Sequence, residues 1–180
     1  MKVETFRFAD DGRIPNNILP LLLYRQALAG DNLAVALERR FAANGWCGGW
    51  RNGIFDFHHF HSSSHEVLGM AHGEAVVRFG GERGRSVTVA AGDVVVIPAG
   101  VGHRLERGTA DLLVVGAYPE GRAWDLRRGD PAERAEVLAN IAAVPVPATD
   151  PIEGTGGPLT TAWTARPQES PCQLAAPNTT

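Results

Sequence analysis

Six histidines stand among 180 residues, and five of them, His58, His59, His61, His65 and His72, crowd into one short stretch, with only His103 apart. Neutral imidazole is the commonest protein ligand for divalent transition ions, so such a stretch raises metal chemistry first. Side chains of a strand alternate faces, and the run FDFHHFH over 55–61 reads as one. His59 and His61 then point one way with Phe55 and Phe57, while His58 and Phe60 point the other. Two imidazoles on one face of a strand can hold a single ion. Glu66, beyond the turn SSSH, can add an oxygen, and His103 a further nitrogen if its strand lies alongside. His65 is expected to face outward and not to bind. His58 is expected to be packed or exposed away from the site, and His72, in the turn HGE, to be solvated.

The elements that must position these residues fall into three parts. Residues 1–45 read as a mixed lead-in, with a Pro-punctuated extended segment over 14–20 ending in Leu21, Leu22 and Leu23. A helix follows, with Asp31 as its N-cap, Leu33, Leu37 and Phe41 on one face, and Gly45 as its stop. From 46 to 120 the period changes to two, with strands expected at 55–61, 65–70, 75–79, 86–89, 94–97, 103–106 and 112–118. Gly-rich turns separate them, as in an antiparallel sandwich or jelly-roll barrel. The chain has 21 Gly and 12 Pro, well above average usage, which also favours a turn-rich β architecture.

The third part, 121–180, opens with Asp130-Pro131-x-Glu133, a helix start with an N-cap, Pro at N1 and a glutamate at N3. Val137, Leu138, Ile141 and Val144 then make an apolar stripe until Pro145 ends it. Trp163 within LTTAW reads as the anchor of a final strand. Residues 165–180 have the composition of a disordered tail, or of one that packs on the barrel or a partner subunit.

Composition removes whole classes of function. With 17 Lys+Arg against 20 Asp+Glu the formal net charge is −3. No basic stretch offers a surface for nucleic acid. The longest apolar runs fall far short of the ~20 residues of a membrane span, and the charged opening residues do not read as a secretory signal. Cys47 and Cys172 form no CxxC pair, which makes the reducing cytoplasm the expected compartment. Cys47 reads as a small buried residue rather than a nucleophile.

Two spaced motifs now carry a resemblance. Gly53-x5-His59-x-His61-x4-Glu66-x6-Gly73 matches the first cupin motif at every defined position. Gly92-x5-Pro98-x-Gly100-x2-His103 matches the second up to its last position, where the usual Asn is Arg107. Eighteen residues, 74–91, separate the two. The stretches RNGIFDFHHFHSSSHEVLG, GDVVVIPAGVGH and LLVVGAYPEG further resemble YjlB-type bacterial cupins. The resemblance implies an all-β cupin double-stranded β-helix, a jelly-roll barrel with flanking N- and C-terminal α-helices. It also implies that His59, His61, Glu66 and His103 converge inside the barrel on one divalent ion, with Fe, Mn, Ni, Co, Zn and Cu all compatible. A metal-free barrel would use the same four as a hydrogen-bonded polar cluster.

Around that centre, Phe55, Phe57, Leu68, Met70 and Leu105 share the inward parity, either filling the barrel or shaping a pocket. Trp50-Arg51-Asn52 could rim its mouth, Tyr118 is the candidate non-ligand acid or base, and Arg127-Arg128 reads as a solvated charged face. Three functions are compatible with this set. The first is a metal-dependent enzyme of dioxygenase type on a small organic molecule. The second is a non-redox sugar isomerase or decarboxylase. The third is a cupin that binds a small ligand without turnover. A homodimer is expected, with the first 25 residues and the tail as the segments that would cross between subunits.

Overall fold

Alternation of large apolar side chains along the central strands decides the architecture. The computed structural model describes residues 1–164, and the expected tail at 165–180 lies outside the described residues. The strands are β1 (Lys2–Phe8), β2 (Asn17–Arg25), β3 (Trp46–Asn52), β4 (Glu66–His72), β5 (Glu74–Phe79), β6 (Arg85–Ala90), β7 (Val94–Ile97), β8 (His103–Gly108) and β9 (Leu113–Pro119). Three helices accompany them: α1 (Leu33–Ala43), α2 (Arg134–Ala143) and α3 (Pro158–Thr164). All pairings are antiparallel, in a six-stranded sheet of order β1-β2-β7-β4-β9-β3 and a three-stranded sheet β6-β5-β8. This is the jelly-roll arrangement of a cupin.

The inner strands of the large sheet are buried on both faces. Leu21, Leu23, Leu68, Met70, Val95 and Ile97 point inward onto Val77, Phe79, Val87 and Val89 of the small sheet. Leu22, Tyr24, Val67, Val94 and Val96, the alternate residues, point outward under Leu37 and Phe41 of α1 and Leu159 and Trp163 of α3. A strand covered on both sides reads as an unbroken apolar run, which is why β7 is simply Val-Val-Val-Ile. Among the described residues no helix is long and apolar enough to cross a membrane.

Several expectations change. Residues 1–45 contain the expected helix but also two strands, and β2 is an interior strand of the large sheet. Pro20 is tolerated there because its stretch coincides with the register shift between Phe6 and Phe8 of β1. Asn32, not Asp31, caps α1, accepting from the Val35 amide at 3.3 Å. Trp163 lies in α3 rather than in a strand, since Pro158 starts a helix and Asp150 holds the Leu159 amide at 2.9 Å. Asp130 does cap a short turn over Pro131–Glu133 that leads into α2. Of the stripe on α2, Val137 is buried but Leu138 is exposed. Cys47 is exposed, because β3 is an edge strand.

Candidate metal centre

The segment before β4 is not a regular strand, yet its side chains keep the alternation of one. A backbone bridge holds it: the His59 amide donates to the His103 carbonyl (3.2 Å) and the His103 amide to the His59 carbonyl (2.9 Å). On one side Phe55 and Phe57 stack and the His59 ring meets both edge-on, while Phe60 enters a separate cluster with Ile14 and Val137. Further on, the Gly100 amide donates to the His61 carbonyl at 2.8 Å. Gly100 does so from φ 87°, a conformation that costs glycine little. The two cupin motifs are thus joined main chain to main chain, and their histidines meet without depending on loop length.

His59, His61 and His103 are buried, and one ring nitrogen of each lies within 4.8 Å of the others. Each Nδ1 faces a backbone carbonyl: His59 that of Phe57 (3.1 Å), His103 that of Val101 (3.3 Å) and His61 that of Asp125. A carbonyl can only accept, so the proton sits on Nδ1 and Nε2 keeps its lone pair toward the centre. Glu66, the first residue of β4, points inward beside them. Its Oε2 lies 3.3 Å from His61 Nε2 and 3.5 Å from His103 Nε2. Its Oε1 accepts from the Tyr118 hydroxyl at 3.0 Å.

Burial pushes the His59 ring below its ordinary pKa. Burial, reinforced by His59 and His61, holds His103 well below it. Burial opposes charge on His61 as well, but the Glu66 carboxylate outweighs it and raises that pKa. Glu66 Oε2 is buried without a hydrogen-bond partner among the described residues. Three oriented imidazoles facing an orphaned carboxylate oxygen form a donor set that fits a divalent transition ion. The buried three-histidine group could hold one.

The remaining histidines stand apart. His65 is buried on the outer face of the sheet, where its Nδ1 accepts from the Ala99 amide (2.9 Å) and its ring packs on Trp163. Burial pushes its pKa down to about 3. His58 turns away to Glu82, with Nε2 3.2 Å from that carboxylate. His72 is exposed.

Above the cluster lies a cavity of about 360 Å³, walled by Trp50, Ile54, Phe55, Leu68, Tyr118 and Trp124. Trp50 and Asn52 rim it, as expected, while Arg51 turns away to Glu38 at 2.6 and 2.7 Å. The Trp50 indole lies where a side chain at 116 would be, since a Cβ there would fall 2.1 Å from it. Gly116 therefore makes room for the indole, whose Nε1 donates to the Tyr118 hydroxyl at 2.9 Å. Tyr118 has its pKa raised by burial and by Glu66. With one hydrogen bond received and one given, its hydroxyl is committed to holding Glu66 still.

Sequence reasoning passed over Trp124 and Asp125, which follow β9 in a segment outside both motifs. Trp124 stacks on Tyr118 (5.7 Å between centroids) and meets the His61 ring at 5.0 Å. Asp125 supplies the carbonyl behind His61. Its carboxylate accepts from the Ser62 amide (2.6 Å) and from Arg127 Nε (2.7 Å). Burial works against that charge, but the guanidinium and Ser62 overcome it and hold the pKa at about 2. Arg127, expected on a solvated face, is instead tied to Asp125, Glu133 and Glu136, and Arg128 lies over the Phe57 ring. Nothing in the local sequence distinguishes this arginine pair from an ordinary surface pair.

No family model matches the chain. Among solved structures it is similar to Bacillus subtilis oxalate decarboxylase. One such structure, determined at pH 4.6, gives a TM-score of 0.38 with 16% identity over 64% of this chain and 29% of that one. Another, from work on the Mn(II) centres of that enzyme, gives 0.38 over 68% and 31%. The aligned part spans under a third of those chains, and likeness at that level says nothing of the reaction. The Bacillus subtilis (strain 168) protein YjlB, whose name carries the word uncharacterized, is 44% identical over 163 residues, 90% of this chain and 97% of that one. With such identity along nearly all of both chains, and with the two cupin motifs joined in one antiparallel barrel, the chain belongs to the YjlB family of cupins.

Proposed function

We propose that this protein is a metal-dependent enzyme acting on a small organic molecule, with His59, His61, Glu66 and His103 holding one divalent ion and with chemistry of dioxygenase type. The observation that carries the reading is the orientation of the donors: three Nδ1 groups tied to carbonyls, with Glu66 Oε2 left without a partner beside two of the rings. When bound, the ion would supply Lewis acidity and, if it is iron or nickel, a redox centre. The chain's own residues orient and exclude. The Tyr118 hydroxyl fixes one carboxylate oxygen, the Asp125 carbonyl fixes the His61 ring, and the inner apolar walls, Trp50, Ile54 and Leu68, keep water from the substrate face.

Dioxygenase chemistry is favoured over isomerisation or decarboxylation by what the cavity lacks. Among the described residues lining it, the non-ligand polar side chains are Asn52 and Tyr118, apart from the indole N–H groups of Trp50 and Trp124, which do not titrate. The tyrosine already serves Glu66 and Trp50, so no free group stands ready to move a substrate proton. The same lack suits a cupin that binds without turnover, and turnover abolished by His61→Ala would exclude that second reading. The setting we propose is a cytoplasmic homodimer, and light scattering that showed a monomer would count against it.

The test is anaerobic reconstitution with Fe(II), followed by oxygen and a panel of oxygenated small molecules. Oxygen uptake coupled to a changed compound, and lost in His61→Ala and His103→Ala, is expected. Fully loaded protein that consumes no oxygen and alters nothing overturns the dioxygenase reading.

A further inference from the structure

Among the described residues two aromatic side chains are exposed, Phe55 at 49% and Trp124 at 46%, and both line the cavity above the histidines. Trp124 stacks on Tyr118 and meets the His61 ring, yet 46% of its surface stays open to solvent or to a ligand. Leu68, Ile54 and Trp50 continue the apolar wall inward. Cavities of roughly 150 Å³ with apolar linings admit a benzene ring, so the space here, about 360 Å³, admits a one- or two-ring molecule.

Charge narrows the class further. No lysine or arginine is among the described residues lining the cavity. The neighbouring arginines are spent elsewhere: Arg51 on Glu38, Arg127 on three carboxylates and Arg128 over Phe57. Three neutral imidazoles, one carboxylate and a divalent ion sum to a single positive charge. One anionic oxygen is thereby neutralised, whereas a dicarboxylate or a phosphate ester would bury a second negative charge with nothing to meet it.

We propose that the cavity takes a flat aromatic molecule with at most one negative charge, its ring against Trp124 and Phe55 and its oxygen turned toward the histidines. The oxygen end rests on the metal reading above; the ring end rests on the walls alone.

The test uses full-length protein loaded with Zn(II), which is redox-silent, and follows binding of 4-nitrocatechol against oxalate by calorimetry and absorbance. 4-Nitrocatechol is expected to bind at least ~10-fold more tightly than oxalate, and Trp124→Ala to weaken it ~10-fold with zinc content unchanged. Phe55→Ala, also at an exposed position, should weaken it ~5-fold. Oxalate binding as tightly as 4-nitrocatechol, or both variants binding like the parent, overturns the inference while leaving the metal reading in place. Apo protein titrated with 1-naphthol reads the walls by themselves. Binding that Trp124→Ala weakens supports the inference even if the protein takes up no zinc, and absence of binding overturns it.

Discussion

The large sheet carries a polar cluster on each face, and the two are opposites in how their atoms are satisfied. On the outer face Asp150 is fully buried, and both its oxygens are filled. They accept from the amides of Ile152 (2.8 Å), Glu153 (3.0 Å) and Leu159 (2.9 Å), and from the Tyr24 hydroxyl. On the inner face the three imidazoles direct lone pairs at one another's neighbourhood, and Glu66 Oε2 has no partner. A saturated cluster fastens α3 and its preceding loop to the sheet. An unsaturated one, held rigid by second partners, is what a ligand requires.

The widest separation should come from metal content. His59→Ala or His103→Ala is expected to take bound metal, read by elemental analysis, from about one per chain to near zero. His65→Ala, on the outer face, should retain it, and loss there would make His65 rather than Glu66 the ligand. The reverse pattern is expected of Asp150→Ala. Removing a carboxylate that four donors share should cost about 3 kcal/mol, lowering Tm by roughly 6–12 °C in calorimetry, with metal uptake intact. If Asp150→Ala lost metal and kept its Tm, the contrast between the two faces would collapse.

Asp125 joins the two kinds of cluster and should show a little of both. Asp125→Ala keeps the carbonyl behind His61 but loosens its anchor, so metal affinity is expected to fall ~10-fold. Its folded pKa is depressed to about 2, so its stabilising effect is present above the ordinary carboxyl range. That effect disappears as pH falls from about 4 to about 2, a loss of about 2 kcal/mol. Denaturation midpoints of the parent should fall through that window more steeply than those of Asp125→Ala. Smallest of all, His72→Ala at the exposed end of β4 should change neither metal content nor Tm measurably.

Most of the inner face was legible because its signals are local. Period-two alternation located β4 to β9 to within two residues at either end, and β7 without error. The parity of FDFHHFH separated His59 and His61 from His58 although the segment makes only two isolated bridges, His59 to His103 and Phe60 to Arg127. The outer face was not legible. Asp150, Tyr24 and Trp163 lie far apart in the chain, and a single buried Asp in an ATDP loop looks like any turn residue. The strands β1 and β2 were hidden for another reason. The charged residues of β1, Lys2, Glu4 and Arg7, break the period of two, and Asn17 and Pro20 interrupt β2, whose place in the sheet comes from pairing with β7 rather than from its own propensity. Trp124 was missed because an aromatic in a loop has no period to betray it.

The empty position at 116 has an evolutionary consequence. A methyl group there would meet the Trp50 ring, so the two positions cannot change independently. Relatives that carry Ala or Ser opposite this site should have surrendered the indole for something smaller, and with it the hydrogen bond that steadies Tyr118. The pair is therefore a two-letter record of pocket width that can be read from an alignment of sequences without another structure. It is also a dial: Trp50→Leu together with Gly116→Ala would reshape the cavity wall while leaving every histidine where it stands.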